Sequence, residues 1–86
     1  MPKNVTFTRH AEWKIKLLAF HGFKVSKHDI ENILNSPDRV RSGYHGRRIA
    51  DKVFTQRHWL CIVFEEYSEE RRVITLYPAR RDRYEN

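Results

Sequence analysis

Apolar residues recur with two different periods along this chain, and the change falls near residue 39. Before it the spacing is helical. Residues 5–7, VTF, form a short strand pattern, and Thr8 is placed to cap a helix that runs to about His21, with Gly22 as its stop. At about 100° per residue, Ala11, Ile15 and Leu18 line one side of that helix. Trp13, Leu17 and Phe20 line nearly the opposite side. One stripe can pack on a sheet, and the other needs a second cover. Ser26-Lys27-His28-Asp29 has the S-x-x-D form of a capping box, with Val25 and Ile30 spaced as a hydrophobic staple. Ile30, Ile33 and Leu34 give this second helix a narrow apolar face, and Ser36-Pro37 ends it. The two helices are predicted to run antiparallel. The second is short, so it is expected to cover part of the Trp13 stripe and leave the rest open.

From residue 39 the period is that of strands. Residues 39–42 form a short one, and Gly43 to Gly46 reads as a turn. In residues 47–55, Ile49 and Val53 fall on one face and Arg48, Ala50, Lys52 and Phe54 on the other, with Asp51 pointing away from Arg48 and Lys52. Residues 59–65, WLCIVFE, are apolar on both faces, as a central strand requires. EEYSEE supplies a hairpin loop, RRVITLY a last central strand, and Asp82 to Asn86 a solvated tail. The order β-α-α-β-β-β-β is α+β: a short N-terminal strand, two helices, then an antiparallel meander of about four strands. Residues 1–86 are expected to form a single domain.

Composition narrows the classes. No stretch approaches the roughly 20 apolar residues of a membrane span, and the N-terminus lacks the apolar centre of a signal peptide. A cytoplasmic protein with no membrane contact is expected. Cys61, the one cysteine, rules out a disulfide framework and sits in LCIVF, where a buried and inert thiol is expected. The histidines show no H-x-x-x-H pair, so neither metal nor cofactor is expected. The net charge of +6 is uneven: residues 39–58 carry +5, residues 59–70 carry −4 and residues 71–86 carry +3. Eleven of the 17 bases are arginine, which forks onto phosphates and stacks on bases better than lysine. Two basic blocks joined by hairpins suit a polyanion, most simply nucleic acid.

The strings Thr8 to Ala11 (TRHA), Ser36 to Val40 (SPDRV), Gly46 to Lys52 (GRRIADK) and Val73 to Tyr84 (VITLYPARRDRY) span nearly the whole chain. Together with the order of elements, they resemble a branch of small bacterial domains within the RelE/ParE toxin superfamily. The resemblance implies a toxin-like α+β fold. It also implies one of two activities: metal-free cleavage of mRNA, often on the ribosome, or poisoning of gyrase. An antitoxin protein is the partner it implies, with the domain a monomer or a homodimer.

Metal-free RNA cleavage needs a base at the 2′-hydroxyl, a cation at the scissile phosphate and an acid for the leaving oxygen. His10 lies in the first turn of the first helix, where the dipole favours a neutral imidazole that can act as base. Arg48 and Lys52 share a strand face about 13 Å from end to end, and Tyr77 stands at the end of the last strand. These four are the candidate catalytic residues. Arg41, Arg47, Arg80, Arg81 and Tyr84 are candidate nucleic-acid contacts, and Trp13 and Phe20 mark a candidate partner interface. The alternative is a non-catalytic module that binds nucleic acid or protein on the same basic surface.

Overall fold

The computed structural model describes residues 3–85. Its elements are β1 (Asn4–Phe7), α1 (Arg9–Phe20), α2 (Lys27–Asn35), β2 (Arg39–Ser42), β3 (Arg48–Val53), β4 (His58–Glu66), β5 (Glu70–Arg80) and α3 (Arg81–Tyr84). The helix ends follow from local chemistry. The Thr8 hydroxyl oxygen accepts from the Ala11 amide at 3.1 Å, and the hydroxyl donates to the Ile74 carbonyl at 3.1 Å. One side chain thereby caps α1 and ties it to β5. Gly22, at φ 85°, closes the other end: its amide donates to Ala19 O and the Phe23 amide to Leu18 O. That pair of bonds is a Schellman ending, which needs the left-handed residue that glycine adopts without strain. Ser26 and Asp29 form the expected reciprocal capping box on α2.

The five strands form one sheet in the order β1-β5-β4-β3-β2. The β2–β5 meander is antiparallel, and β1 adds a parallel edge beside β5, Phe7 opposite Val73. The expected antiparallel meander of the last four strands is present, and the parallel pairing of β1, for which the pattern alone names no partner, makes the sheet mixed. Strands β4 and β5 are both flanked by neighbours, as their two-sided apolar pattern requires.

One face of the sheet carries Ala50, Leu60, Ile62, Phe64, Val73 and Leu76, all buried. Against it α1 sets Ala11 and Leu18, and α2 sets Ile30, Ile33 and Leu34, in one apolar cluster. A bulge at Val63/Phe64 leaves Ile74 without a register partner, so Val73 and Leu76 both point towards the helices. The helices lie side by side over the sheet. Helix α2 does not close over the outer stripe of α1, where Trp13 stays 54% and Phe20 85% exposed. Among the described residues no helix is long and apolar enough to cross a membrane.

α3 corrects the expected tail. Residues 81–84 turn helically instead of fraying, Tyr84 is half-buried, and Arg81 is anchored by its amide to Arg57 O at 2.9 Å. Asn86 lies outside the described residues.

Candidate nucleic-acid interface

On the sheet face away from α1 and α2, the register sets side chains in rows across the strands. The first row is Arg39 (β2), Asp51 (β3), Cys61 (β4) and Tyr77 (β5), each opposite the next. The second is Arg41, Ile49, Val63 and Thr75. His10 extends it, its Nε2 lying 3.1 Å from Thr75 Oγ1. Because β1 ends opposite Val73, the start of α1 sits beside the exposed flank of β5, and that is how a helix residue reaches this face.

Asp51 anchors the first row. It is fully buried, and each oxygen is bonded: Arg41 donates Nε to Oδ2 at 2.6 Å and Nη2 to Oδ1 at 3.2 Å. Arg39 Nε donates to Oδ2 at 3.1 Å, and the Tyr84 hydroxyl donates to the same oxygen at 3.3 Å. Burial alone pushes this carboxyl up, but the donors from Arg41 and Arg39 prevail and hold it below the usual carboxylate range. Two guanidiniums share one carboxylate, so the cluster keeps one excess positive charge. The Arg39 guanidinium lies over Trp59 (5.2 Å) and Tyr84 (4.7 Å), a double cation–π contact. The Cys61 thiol donates to the Tyr84 oxygen at 3.6 Å and is pushed up to about 11, first by burial and then by Asp51. It is buried, as its apolar setting predicts.

Arg41 links this anchor to an open surface. Its Nη2 also donates to the Tyr77 hydroxyl at 3.1 Å. Beyond it lies a shallow groove of about 560 Å³ lined by Arg41, Tyr44, Arg47, Ile49, Val63 and Tyr77. Tyr44 stands almost wholly exposed on the tight turn between β2 and β3, where His45 (φ 58°) and Gly46 (φ 74°) are both left-handed. Arg47 donates to Glu65 at 3.2 Å, a half-buried pair at the rim of the groove.

The sequence candidates therefore divide. His10, Tyr77, Arg41 and Arg47 belong to the helix-free face, with Thr75 and Tyr77 about 7 Å apart along β5. Arg48 and Lys52 belong to the opposite face, in the register of Phe64 and Leu60. Lys52 is tied there, donating to Ser36 O at 2.8 Å with Asp38 at 3.7 Å. The Arg48 side chain is exposed and has no hydrogen-bond or ion-pair partner among the described residues. Arg80 and Arg81 lie at the far end of β5, Arg80 opposite His58, some six residues or about 20 Å along the sheet from the level of Arg48. Tyr84 belongs to the Asp51 cluster, and Trp13 lies beside His10 with ring centroids 5.5 Å apart.

Three residues central to this face, Asp51, Arg39 and Trp59, are not among the sequence candidates. The turn at Gly43–Gly46 contains the signal: once it sets Ser42 opposite Arg48, Arg39 must fall opposite Asp51. Among the described residues no group of three or more His, Cys, Asp or Glu side chains gathers in a way that holds a metal ion. Comparison with family models, curated proteins and solved structures found no match.

Proposed function

We propose that this chain is a toxin-like, RNA-directed domain of the RelE/ParE kind that cuts RNA, free or ribosome-bound, without a metal. The working surface in this reading is the helix-free face of the sheet. The observation that carries it is the Arg41–Tyr77 pair at the edge of an open groove, braced from beneath by Asp51 and flanked by Tyr44 and Arg47. Single-stranded RNA is bound by stacking unpaired bases on aromatic rings and neutralising phosphates with cations. Tyr44 offers an exposed ring, Arg47 a cation at the groove's rim, and Arg41 a guanidinium with excess charge behind it. His10, bonded to Thr75 on the same side, is the proposed base, and the Tyr77 hydroxyl is the proposed donor to the phosphate or leaving oxygen.

One observation favours a second reading, a module that binds RNA without cutting it. Arg48 and Lys52 lie on the other side of the sheet from Tyr77, so the four catalytic candidates do not converge. One assay separates the readings. The purified chain is incubated with RNA, alone and on translating ribosomes, in EDTA, and binding is followed against salt in parallel. Cleavage that falls by about a hundredfold in His10→Ala or Tyr77→Phe supports the enzyme. Binding that weakens steeply with salt but gives no cut product supports the module. Neither binding nor cleavage overturns the RNA reading and returns attention to a protein target such as gyrase.

A further inference from the structure

At the other end of the sheet, the turn between β3 and β4 meets the junction of β5 and α3 around a cavity of about 610 Å³. Its lining includes Arg57, His58, Arg80, Arg81, Asp82 and Glu85. Two features of this cavity point to an anion. The first is charge. Arg57 has no side-chain partner among the described residues. Arg80 holds Asp82 at 2.9 Å in a pair whose side chains are 59% and 62% exposed. Such a pair is worth little in water, so Arg80 can exchange Asp82 for a better acceptor. Arg81 is committed differently: Glu85 accepts from it at 2.7 Å and from Trp59 Nε1 at 2.6 Å, while its own Nη1 reaches Gln56 O at 3.4 Å. Arg81 and Glu85 thus form the wall, and Arg57 and Arg80 supply two positive charges.

The second feature is the tautomer of His58. Thr55 Oγ1 already accepts from the amides of Arg57 (3.3 Å) and His58 (3.0 Å), which occupies both lone pairs. Its single proton is therefore directed at His58 Nδ1, 3.3 Å away. A neutral imidazole that accepts at Nδ1 carries its hydrogen on Nε2. That N–H has no hydrogen-bond acceptor among the described residues, and the ring that carries it stands at the cavity lining, packed edge-on against Phe23 at 5.5 Å.

From these two features we infer that this cavity is a binding site for a phosphate monoester, separate from the groove at Arg41 and Tyr77. Exposed Asp82 offsets one of the two arginine charges until it is displaced from Arg80 into water; with it displaced, Arg57 and Arg80 match the dianion of a monoester, and arginine forks complement its oxygens. A backbone phosphodiester has one charge and two free oxygens, so it satisfies the set less well. Three sources share this chemistry: free phosphate, a mononucleotide and the phosphorylated end of an RNA.

The test titrates the full chain, labelled with 15N, with inorganic phosphate, uridine 5′-monophosphate and a dinucleotide lacking a terminal phosphate. Saturable shifts at Arg57, His58, Arg80 and Arg81 are expected with the first two. Arg57→Ala and Arg80→Ala should each weaken binding by about tenfold, the loss of one charged hydrogen bond. Lys16→Ala, an exposed cation on α1, should leave binding unchanged. Nitrogen-resolved spectra of the histidine should report the Nε2–H form. Equal affinity for the two phosphates assigns the site to free phosphate, and tighter binding of the monophosphate assigns it to nucleotides or RNA ends. The proposal is overturned if neither phosphate shifts these residues. It is also overturned if the dinucleotide binds as tightly as the monophosphate, or if Lys16→Ala costs as much as Arg57→Ala. Because no RNA cleavage enters this readout, it succeeds or fails apart from the proposed function.

Discussion

Cys61 and Ile62 are neighbours in β4, both fully buried, and they are buried by opposite means. Ile62 faces the helices, opposite Ala50 and Leu76, in an apolar cluster that loses water because every member is indifferent to it. Cys61 faces the other way, opposite Asp51 and Tyr77, where Tyr84 comes down over it from α3. There the cover is polar and each group is held by a named bond. With only two longer helices, this chain can pack one face of its sheet. It closes part of the other with a carboxylate, two guanidiniums and a tyrosine. The difference is one of tolerance: an apolar layer absorbs a lost methylene, whereas a polar layer with one carboxylate at its centre fails when that member goes.

The largest expected effect tests that contrast directly. Asp51→Ala removes the acceptor that Arg39, Arg41 and Tyr84 share and should cost about 3–5 kcal/mol, as for other broken buried pairs. Ile62→Ala should cost about 3 kcal/mol through the cavity it leaves. Urea denaturation of both variants provides the check. If Asp51→Ala costs much less than Ile62→Ala, the polar layer is ornament on a fold that the helices hold alone.

pH separates the two layers without mutation. Native Asp51 is held below the usual carboxylate range, so on acidification the unfolded chain takes up the proton first. Its contribution is complete above about pH 4 and is lost as pH falls further. At the alkaline end the sign follows from the thiol. An unfolded cysteine ionises near pH 8.5, whereas native Cys61 stays protonated until about 11. Stability is thus retained below about pH 8.5 and should fall by roughly 3 kcal/mol as pH climbs towards 11. Melting temperatures across pH 3–11 should trace a plateau with both shoulders, and Asp51→Asn should shrink the acid one, leaving the part due to surface carboxylates that are also held low, such as Glu66 and Glu85. An unchanged acid shoulder in that variant would assign it to other carboxylates.

How the two layers read from sequence follows from the same contrast. Period and caps are local, so α1, α2 and the two-sided β4 were all legible: Thr8, Gly22 and the Ser26–Asp29 box act within a few residues. The parity of Arg48 and Lys52 was legible too. Which parity the helices cover was not, because β3 carries apolar side chains on both sides, Ala50 on one and Ile49 with Val53 on the other. Tyr84 was the hardest case. A four-residue helix has no period to detect, and the tyrosine's partners lie 23 and 33 positions away, so only tertiary contact turns an apparent tail into a lid. The parallel pairing of β1 with β5, across some 66 residues, is invisible for the same reason.

A smaller effect tests the lid itself. Tyr84→Phe keeps the ring over Arg39 and removes only the hydroxyl between Cys61 and Asp51. About 1 kcal/mol should be lost, with faster alkylation of Cys61 as the sensitive readout. A loss of several kcal/mol would mean that the hydroxyl, and not the ring, holds α3 in place.

The smallest expected effect decides which face works. Arg48 is exposed, unpartnered among the described residues and on the helix side, so Arg48→Gln should change stability by less than about 0.5 kcal/mol. If RNA lies on the helix-free face, the same variant should also leave RNA binding nearly unchanged, while Tyr77→Phe weakens it or stops cleavage. The two residues make a fair pair because neither is needed to hold the core: one is an exposed cation, the other a hydroxyl at the rim of a groove. A reversed result, with Arg48→Gln the more damaging, would move the working surface to the sheet face beside α1 and α2. The Asp51 cluster would then stand as architecture alone, a polar core on a face that no ligand reads.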